Sequence, residues 1–256
     1  MTLRIGRVPY LNAAMFYTTL TEQPSQYALV DAVPRELGRL AREGLIDAGP
    51  MAVADYFRQQ DRFELLGDLG IAVHRDAQSV LLFSKFPRQQ LDGRVICVTE
   101  DTSTSVMLLR VLLEERFHQR PKTYLQTNTP NGCDALLLIG DEALQARQAT
   151  TQRLPFVTDL GAAWWEWTLL PFVFAMWVVR RDVPDRDKQQ LMQTLQSSLA
   201  DGMQQAPAIA ARQAARLGIP AKSLEAYLAN LTYIIGDAEH RGMQQFHRLL
   251  LEREML

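Results

Sequence analysis

Hydroxyl side chains are concentrated in one short segment, 99–105, which reads Thr-Glu-Asp-Thr-Ser-Thr-Ser. The segment lies between a predicted strand and a predicted amphipathic helix. Hydroxyl groups and unpaired backbone N–H groups at a helix N-terminus favour an anion, because the helix dipole adds to their hydrogen bonds. The segment is therefore a candidate site for an anion such as a carboxylate. The alternative is an ordinary helix cap whose spare hydroxyls face solvent.

Further polar residues stand where predicted strands begin or end. Asn12 follows the first strand, and Ser79 begins an extended segment. Gly140 and Asp141 end a strand farther along the chain. Asn and Ser orient substrates through hydrogen bonds, and a carboxylate such as that of Asp141 accepts one or relays a proton. Each position also has a local explanation, since Asn12 suits a turn, Ser79 a strand edge, and Asp141 the N-cap of a helix over 142–147.

Several classes of enzyme are disfavoured because their motifs do not occur in this sequence. It contains no Gly-rich dinucleotide motif after the first strand, no P-loop, no Gly-x-Ser-x-Gly turn and no metal-binding histidine pair. His240 and His247 are seven residues apart on one predicted helix, which is too far for both to bind one metal ion. We expect neither a cofactor nor a metal.

Two other kinds of residue that often carry chemistry are better explained by packing. The segment 164–167 reads Trp-Trp-Glu-Trp, and such dense aromatic clusters usually fill a core. Glu166 within it stays a candidate acid. Cys97 and Cys133 lie in or beside apolar runs, where cysteine acts as a small buried hydrophobe. We expect both to be structural thiols.

Composition and charge limit the possible partners. The chain has 256 residues, of which 47% are hydrophobic and 22% are charged, so it should fold throughout. Its 27 basic and 29 acidic side chains give a net charge of -2, which disfavours nucleic acid and leaves a small-molecule substrate. The longest apolar run, 169–179, is shorter than the roughly 20 residues of a membrane span. The first residues lack a hydrophobic signal core, which favours the cytoplasm; the sequence gives no oligomeric state.

Strand and helix patterns alternate along the chain, which is typical of an α/β fold with parallel sheets. A first series has predicted strands over 3–8, 27–33, 45–53 and 63–73, with a helix over 35–43. A second series has strands over 95–98, 123–126 and 133–139, with a helix over 104–117. From residue 185 onward the pattern is mostly helical.

Two extended segments, 79–84 and 172–180, join the two series, so we predict two lobes between which the chain crosses twice. The first lobe comprises residues 1–81 and 178–256, and the second comprises residues 82–177. Ligands of open α/β sheets bind beyond the carboxyl ends of the strands. Two such sheets facing each other enclose a cleft, and we expect the ligand there.

A series of motifs resembles the chorismate dehydratase family, whose members act in the futalosine route to menaquinone. The motifs occur in the family's order over residues 3–180, and more loosely over 227–246. They are Arg4-Ile5-Gly6 with Tyr10-Leu11-Asn12, Ile46-Asp47-Ala48-Gly49-Pro50, Ser79–Ser84, Thr104-Ser105-Val106, Leu137–Asp141, and Asp159-Leu160-Gly161 with Trp164, Glu166–Thr168 and Leu170–Phe174. The chain departs from the family pattern at Trp165, Leu169 and Thr232.

The resemblance implies a two-lobed fold like that of type II periplasmic binding proteins, located in the cytoplasm. It implies a lyase, a hydro-lyase that converts chorismate to 3-[(1-carboxyvinyl)oxy]benzoate without a cofactor. Removal of the ring hydrogen beside the enolpyruvyl ether gives an extended enolate, which expels the neighbouring hydroxyl and becomes aromatic. By motif match the catalytic residues are Asn12 and Ser79, and the substrate-binding residues are Thr104, Ser105, Gly140 and Asp141.

The identity of the proton acceptor is open. No histidine falls within a family motif, and Asp141 and Glu166 each have a structural explanation. Our hypothesis is that the substrate's enolpyruvyl carboxylate takes the proton while Asn12 orients it, and Arg7 is a candidate to hold a carboxylate.

Two functions of other kinds are alternatives to dehydration. One is a protein that binds a small carboxylate without chemistry, for which a signal peptide is expected. The other is a sister enzyme acting on a later futalosine-derived intermediate, for which a histidine base is expected. The first residues show no signal peptide, and none of the four histidines lies within a family-like motif.

Overall fold

The structure is a computed structural model that describes residues 2–127, 132–148 and 153–256. The strands in these ranges are β1 (Leu3–Arg7), β2 (Tyr27–Asp31), β3 (Ala48–Ala52), β4 (Phe63–Val73), β5 (Val80–Ser84), β6 (Val95–Val98), β7 (Thr123–Gln126), β8 (Ala135–Ile139), β9 (Phe156–Asp159), β10 (Phe172–Arg180) and β11 (Thr232–Ile234). The helices are α1 (Pro34–Arg42), α2 (Val53–Gln59), α3 (Thr104–Val111), α4 (Gly140–Gln148), α5 (Leu160–Thr168), α6 (Asp185–Gln204), α7 (Ala206–Leu217), α8 (Ala221–Ala229) and α9 (Asp237–Glu252). Within the described ranges, no helix combines the length and apolar composition needed to cross a membrane.

Contacts along the chain divide it into two compact units. The first unit comprises Met1–Ala72 and Val173–Gly236, and the second comprises Val73–Phe172 and Asp237–Leu256. The chain passes from one unit to the other at three points, where the sequence predicted two. Residues 73–81 and helix α9 group with the second unit, whereas the prediction assigned them to the first lobe.

The first unit contains a six-stranded sheet in the order β11-β4-β10-β3-β1-β2. Strand β1 is parallel to β2 and β3, whereas β10 is antiparallel to β3 and β11 is antiparallel to β4. The prediction of a parallel sheet is therefore wrong for β10, and β11 lies in the part of the chain that was predicted to be mostly helical. Both belong to the part of the chain that re-enters this unit after the second one, so a βαβ connection does not set their direction.

Local sequence features explain the centre of this sheet. A Cβ atom at Gly49 would lie 3.1 Å from the Cα of Gly6, so glycine at both positions lets β1 and β3 approach closely. The helix predicted over 35–43 is α1, which begins at Pro34 and is followed by Gly44 with a φ of 70°.

Asp47 connects neighbouring strands at one end of the first sheet. Its side chain is 1% exposed and accepts hydrogen bonds from the backbone N–H of Arg4 at 2.8 Å and from the Arg4 guanidinium at 2.7 and 3.0 Å. The guanidinium of Arg180, in β10, lies 3.3 Å from the same carboxylate. Burial raises the pKa of Asp47, but the hydrogen bonds and charge of Arg4 outweigh it, so the pKa lies below its usual value.

The second unit contains a five-stranded sheet in the order β7-β6-β8-β5-β9. Strand β6 is parallel to β7 and β8, and β5 is antiparallel to β8 and β9. This sheet is therefore also mixed rather than parallel. The helix predicted over 104–117 is divided, because α3 ends at Val111 and continues as a π-helical turn over Leu112–Arg116.

Helix α9 completes the core of the second unit. The ring of Phe246 packs edge-to-face on Trp164 and Phe172, with centroid distances of 6.0 and 4.9 Å. Gly242 lies against the carbonyl of Pro171, where a side chain would have no room. The sequence pattern shows that this segment is an amphipathic helix, but it does not show which core the apolar face covers.

Cys97 and Cys133 form a disulfide in the second unit, with their Cα atoms 5.8 Å apart. Both residues are buried, as expected, but the expectation of two separate thiols is wrong. They meet because Cys97 lies in β6 and Cys133 lies just before β8, and these strands are parallel neighbours. Strand order of this kind is not encoded in the local sequence.

Asp47→Asn should lower the free energy of unfolding by roughly 2–4 kcal/mol, because the guanidinium groups of Arg4 and Arg180 lose a buried partner. Asp31 is a matched control, since its ion pair with Arg7 belongs to the same sheet but its side chain is 51% exposed. Asp31→Asn should change the free energy by less than about 1 kcal/mol. Denaturant unfolding at neutral pH measures both values, and equal losses would contradict the assignment.

The same pair of proteins tests the pKa of Asp47. Its folded-state pKa lies below the unfolded value, so its contribution is complete above the unfolded pKa and is lost as the pH falls through the folded one. The difference in stability between wild type and Asp47→Asn should therefore shrink below about pH 4. A difference that grows on acidification would contradict this.

Candidate active site

One edge of the second sheet collects most of the polar residues that the sequence singled out. Strands β6 and β8 are parallel neighbours, so the segments that follow them, Thr99–Ser105 and Gly140-Asp141, leave the sheet at the same edge. Strand β5 is antiparallel to β8, which brings Ser79, just before β5, to this edge. Strand β9 ends there as well, at Asp159. The edge thus gathers the predicted site residues Ser79, Thr104, Ser105, Gly140 and Asp141.

The hydroxyl groups of the segment 99–105 are buried. Its threonines and serines are each at most 8% exposed. The Thr102 hydroxyl accepts a hydrogen bond from the backbone N–H of Ser105 at 3.2 Å and so caps the first turn of α3. The alternative explanation is therefore right about the helix cap but wrong about the hydroxyls, which are not in solvent. Buried hydroxyls beside a helix N-terminus provide donors and a positive potential for a carboxylate.

Ser79 and Gly140 are joined directly, because the backbone N–H of Gly140 donates to the Ser79 carbonyl at 2.8 Å. Gly140 has a φ of 60°, which glycine adopts without steric cost. The Ser79 side chain is 3% exposed, and its hydroxyl donates to the carbonyl of Ala77 at 3.3 Å. The position of this hydroxyl therefore depends on how the backbone of 77–79 is held.

Asp141 lies in the first turn of α4 rather than at its N-cap, because the helix begins at Gly140. The interpretation of Asp141 as an N-cap is therefore wrong. The residue is 6% exposed, and a carboxylate in the first helical turn is stabilised by the helix dipole. This position is compatible with a structural role and with contact to a ligand.

Asp159 accepts hydrogen bonds from four backbone N–H groups at the same edge. Its Oδ1 receives those of Ala77 at 2.9 Å, Gly161 at 2.9 Å and Ala162 at 3.1 Å. Its Oδ2 receives that of Gln78 at 2.7 Å. Burial raises the pKa of Asp159, although the backbone donors act in the opposite direction.

The role of Asp159 was missed in the sequence, although the segment 159–161 belongs to the family-like motifs. An aspartate before a helix, followed two residues later by Gly161, is the local signal. A Cβ atom at Gly161 would lie 2.5 Å from the carbonyl oxygen of Arg75, so glycine is required for the start of α5 to reach this segment. Nothing in the motif itself shows that the carboxylate also binds residues 77 and 78.

Asn12 belongs to the first unit, at the carboxyl end of β1. Strand β1 ends at Arg7, two residues before Pro9. Asn12 lies in the first turn of the short 3₁₀ helix that follows, Leu11–Phe16. Its Oδ1 is buried and accepts no hydrogen bond from the part of the chain that the structure describes. A buried carbonyl oxygen without a donor costs roughly 1–3 kcal/mol, so a bound donor is needed to satisfy it. Asn12 is thus equipped to contact a ligand.

Arg7, the predicted carboxylate ligand, is occupied by a two-pronged ion pair with Asp31. It also lines a cavity of about 310 Å³ in the first unit, together with Tyr10, Arg212 and Arg216. The two further arginines lie one turn apart on α7, outside the stretches that carry the family-like motifs. For this reason the sequence did not indicate the basic cavity.

The first residue of the aromatic segment 164–167, Trp164, packs in the core, as the sequence predicted. Trp164 is fully buried, and its ring contacts Trp167 edge-to-face with a centroid distance of 6.0 Å. Glu166 is exposed and forms an ion pair with Arg88 at 2.8 Å. A carboxylate on the surface with a guanidinium partner is poorly suited to act as a general base.

Comparisons with solved structures agree on the fold. The protein AF1704 from Archaeoglobus fulgidus is similar with a TM-score of 0.81 and 16% identity, covering 100% of this chain and 98% of that one. The periplasmic aliphatic sulphonate binding protein SsuA from Escherichia coli has a TM-score of 0.66 and 18% identity, covering 100% and 88%. The predicted class, an α/β fold like that of periplasmic binding proteins, is confirmed.

Sequence comparisons define the family. Residues 3–252 match the family described as menaquinone biosynthesis. The chorismate dehydratase of Thermus thermophilus is 31% identical over 264 aligned residues, covering 96% of this chain and 94% of the relative. The resemblance that the motifs indicated is confirmed. With almost its whole length matched in both comparisons, this chain belongs to the menaquinone biosynthesis family.

Proposed function

We propose that this protein dehydrates chorismate to 3-[(1-carboxyvinyl)oxy]benzoate in the futalosine route to menaquinone. The observation that carries this proposal is the alignment with a chorismate dehydratase along 96% of the chain. The buried hydroxyls of segment 99–105 and the open amide oxygen of Asn12 support it, because chorismate offers carboxylates and a hydroxyl for such groups. The enzyme class is a hydro-lyase.

The reaction balances without an external reagent. The base takes the ring hydrogen beside the enolpyruvyl ether as a proton, and the electrons of that C–H bond spread towards the ring carboxylate as an extended enolate. Those electrons then form the last double bond of the aromatic ring as the C–O bond to the ring hydroxyl breaks. The hydroxyl takes up a proton and leaves as water. No net oxidation or reduction occurs, and aromatisation of the ring provides the driving force.

The enzyme's task is to stabilise the charge that accumulates on the ring carboxylate. We assign this task to the N-terminus of α3, where Thr104 and Ser105 are each at most 5% exposed. Preorganised donors aimed at developing charge stabilise a transition state more than the ground state. Ser79, Gly140 and Asp141 complete the substrate-binding edge in this proposal.

We assign proton abstraction to the substrate's own enolpyruvyl carboxylate. Asn12 would hold this carboxylate through its Nδ2 donors, while its buried Oδ1 accepts the hydrogen bond of the ring hydroxyl. Orientation of this kind places the two reacting groups of one molecule in contact. Glu166 is not used, because it is exposed and paired with Arg88.

A cytoplasmic location is part of the proposal, because the family resemblance implies it. The disulfide between Cys97 and Cys133 is the observation against it, because cytosolic thiols are kept reduced.

Purified protein incubated with chorismate should produce a substituted benzoate. Formation of the aromatic ring changes the ultraviolet absorbance, which allows continuous measurement, and mass spectrometry should show the loss of one water. Chorismate without protein is the control. Binding of chorismate with no product over hours would favour a binding protein and overturn the dehydratase assignment.

Substitution of Asn12 should impair turnover. Asn12→Ala removes the orienting amide and should lower kcat roughly 100-fold. Asn12→Asp keeps the size and an acceptor but repels a carboxylate, so it should raise KM as well. Asn230→Ala, at the exposed end of α8 in the same unit, is the control and should keep wild-type kinetics. Near-normal turnover of Asn12→Ala would remove Asn12 from the mechanism.

Asp141→Asn distinguishes a substrate base from a protein base. If the substrate carboxylate takes the proton, the variant should retain kcat within about threefold, because the amide keeps the shape and hydrogen-bonding capacity of the side chain. Isothermal titration calorimetry with the product checks that the ligand still binds. A loss comparable with that of Asn12→Ala, with binding intact, would make Asp141 the base.

A further inference from the structure

The carboxylate of Asp159 connects two separate segments of the second unit. It binds the N–H groups of Gly161 and Ala162 at the start of its own helix, α5. It also binds the N–H groups of Ala77 and Gln78, which lie about eighty residues earlier in the chain. The first pair is an ordinary helix cap, and the second pair is a bridge.

The bridge holds the backbone in a conformation that it would otherwise avoid. Gln78 has a φ of 60°, in the left-handed region that residues with a side chain rarely adopt. Such a conformation is unfavourable and persists only where neighbouring bonds enforce it. The 2.7 Å hydrogen bond from the Gln78 N–H to Asp159 Oδ2 is such a bond.

The bridged segment leads directly to the candidate site. The Ser79 hydroxyl donates to the carbonyl of Ala77, whose own N–H is held by Asp159. The Ser79 carbonyl in turn accepts the N–H of Gly140. A continuous series of hydrogen bonds therefore runs from Asp159 through 77–79 to the residue before Asp141.

We propose that Asp159 is a positioning residue for the dehydration, holding the backbone of 77–79 so that Ser79 and Gly140 face the substrate. The proposal rests on the proposed function. Asp159 does not touch the substrate in this proposal, and its effect is transmitted by the hydrogen bonds just described.

Two substitutions separate the cap from the bridge. Asp159→Ser keeps a good helix cap but has one short acceptor, which cannot reach residues 77 and 78 as well. Asp159→Asn keeps the cap, the size and Oδ1, but turns an NH₂ group towards the N–H of Gln78. If capping is the whole role, both variants should behave like wild type.

With positioning, Asp159→Ser should lower kcat roughly 100-fold and Asp159→Asn roughly tenfold, because small displacements of contact groups cost that much. KM should change less than about threefold in both, since α3, which carries Thr104 and Ser105, is held independently by Thr102. Asp134→Asn is the matched control. Asp134 also accepts a backbone N–H, that of Val95 at 3.2 Å, but it precedes β8 and so lies at the opposite end of that strand from Gly140.

A double-mutant cycle with Ser79→Ala gives a readout that loss of folded protein cannot imitate. If Asp159 acts through Ser79, adding the second substitution should have little further effect. The kcat of the double variant Ser79→Ala with Asp159→Ser should then lie within about threefold of that of the slower single variant. Multiplied losses would mean two independent effects and overturn the proposal. Thermal unfolding of every variant corrects the rates for folded fraction.

The outcomes also separate this proposal from the proposed function. Wild-type protein without turnover of chorismate overturns both. Active wild type with an equally active Asp159→Ser overturns only the positioning role. If Asp159→Ser does not fold, Asp159→Asn decides the question, and unchanged kcat in that variant overturns the proposal.

Discussion

A buried carboxylate needs hydrogen-bond donors. At the edge of the second sheet this requirement fixes the backbone segments that surround Asp159. Asp159 can stay among backbone groups only because four N–H groups point at it. Those groups come from two places in the chain, so satisfying the charge also fixes the start of β5 beside the start of α5. Asp47 has a similar part in the first unit, where it joins β1 to β10 through two arginines.

Much of the architecture could be predicted because apolar periodicity and turn residues are local. The bounds of β4, β6 and β7 agree with the sequence interpretation, and α1 lies within one residue of its predicted bounds. Strand direction was not predictable for β10, since a strand has the same pattern whichever way it runs. The three-residue strand β11 was missed, because the surrounding pattern is mostly helical. The pairing of Cys97 with Cys133 depends on strand order, which is likewise a property of the whole chain.

For the candidate site too, local features could be predicted from the sequence, whereas contacts between distant segments could not. Hydroxyl residues before an amphipathic helix identified the α3 N-terminus, and their burial follows from a sheet edge that no window of sequence displays. Asp141 was assigned to a cap because short acidic residues favour that position, but the helix begins two residues earlier than predicted, at Gly140. For Asp159 the sequence shows the helix cap. It does not show the hydrogen bonds to residues 77 and 78, because only folding brings these distant segments together.

The membership of α9 in the second unit has a consequence for biosynthesis. Phe246 supplies one side of the aromatic core around Trp164 and Phe172, yet it follows the whole first unit in the chain. A ribosome therefore finishes every residue of the first unit before the second unit can close its core. Until then Trp164 and Phe172 lack their covering ring, so the nascent second unit exposes apolar surface of the kind that chaperones bind.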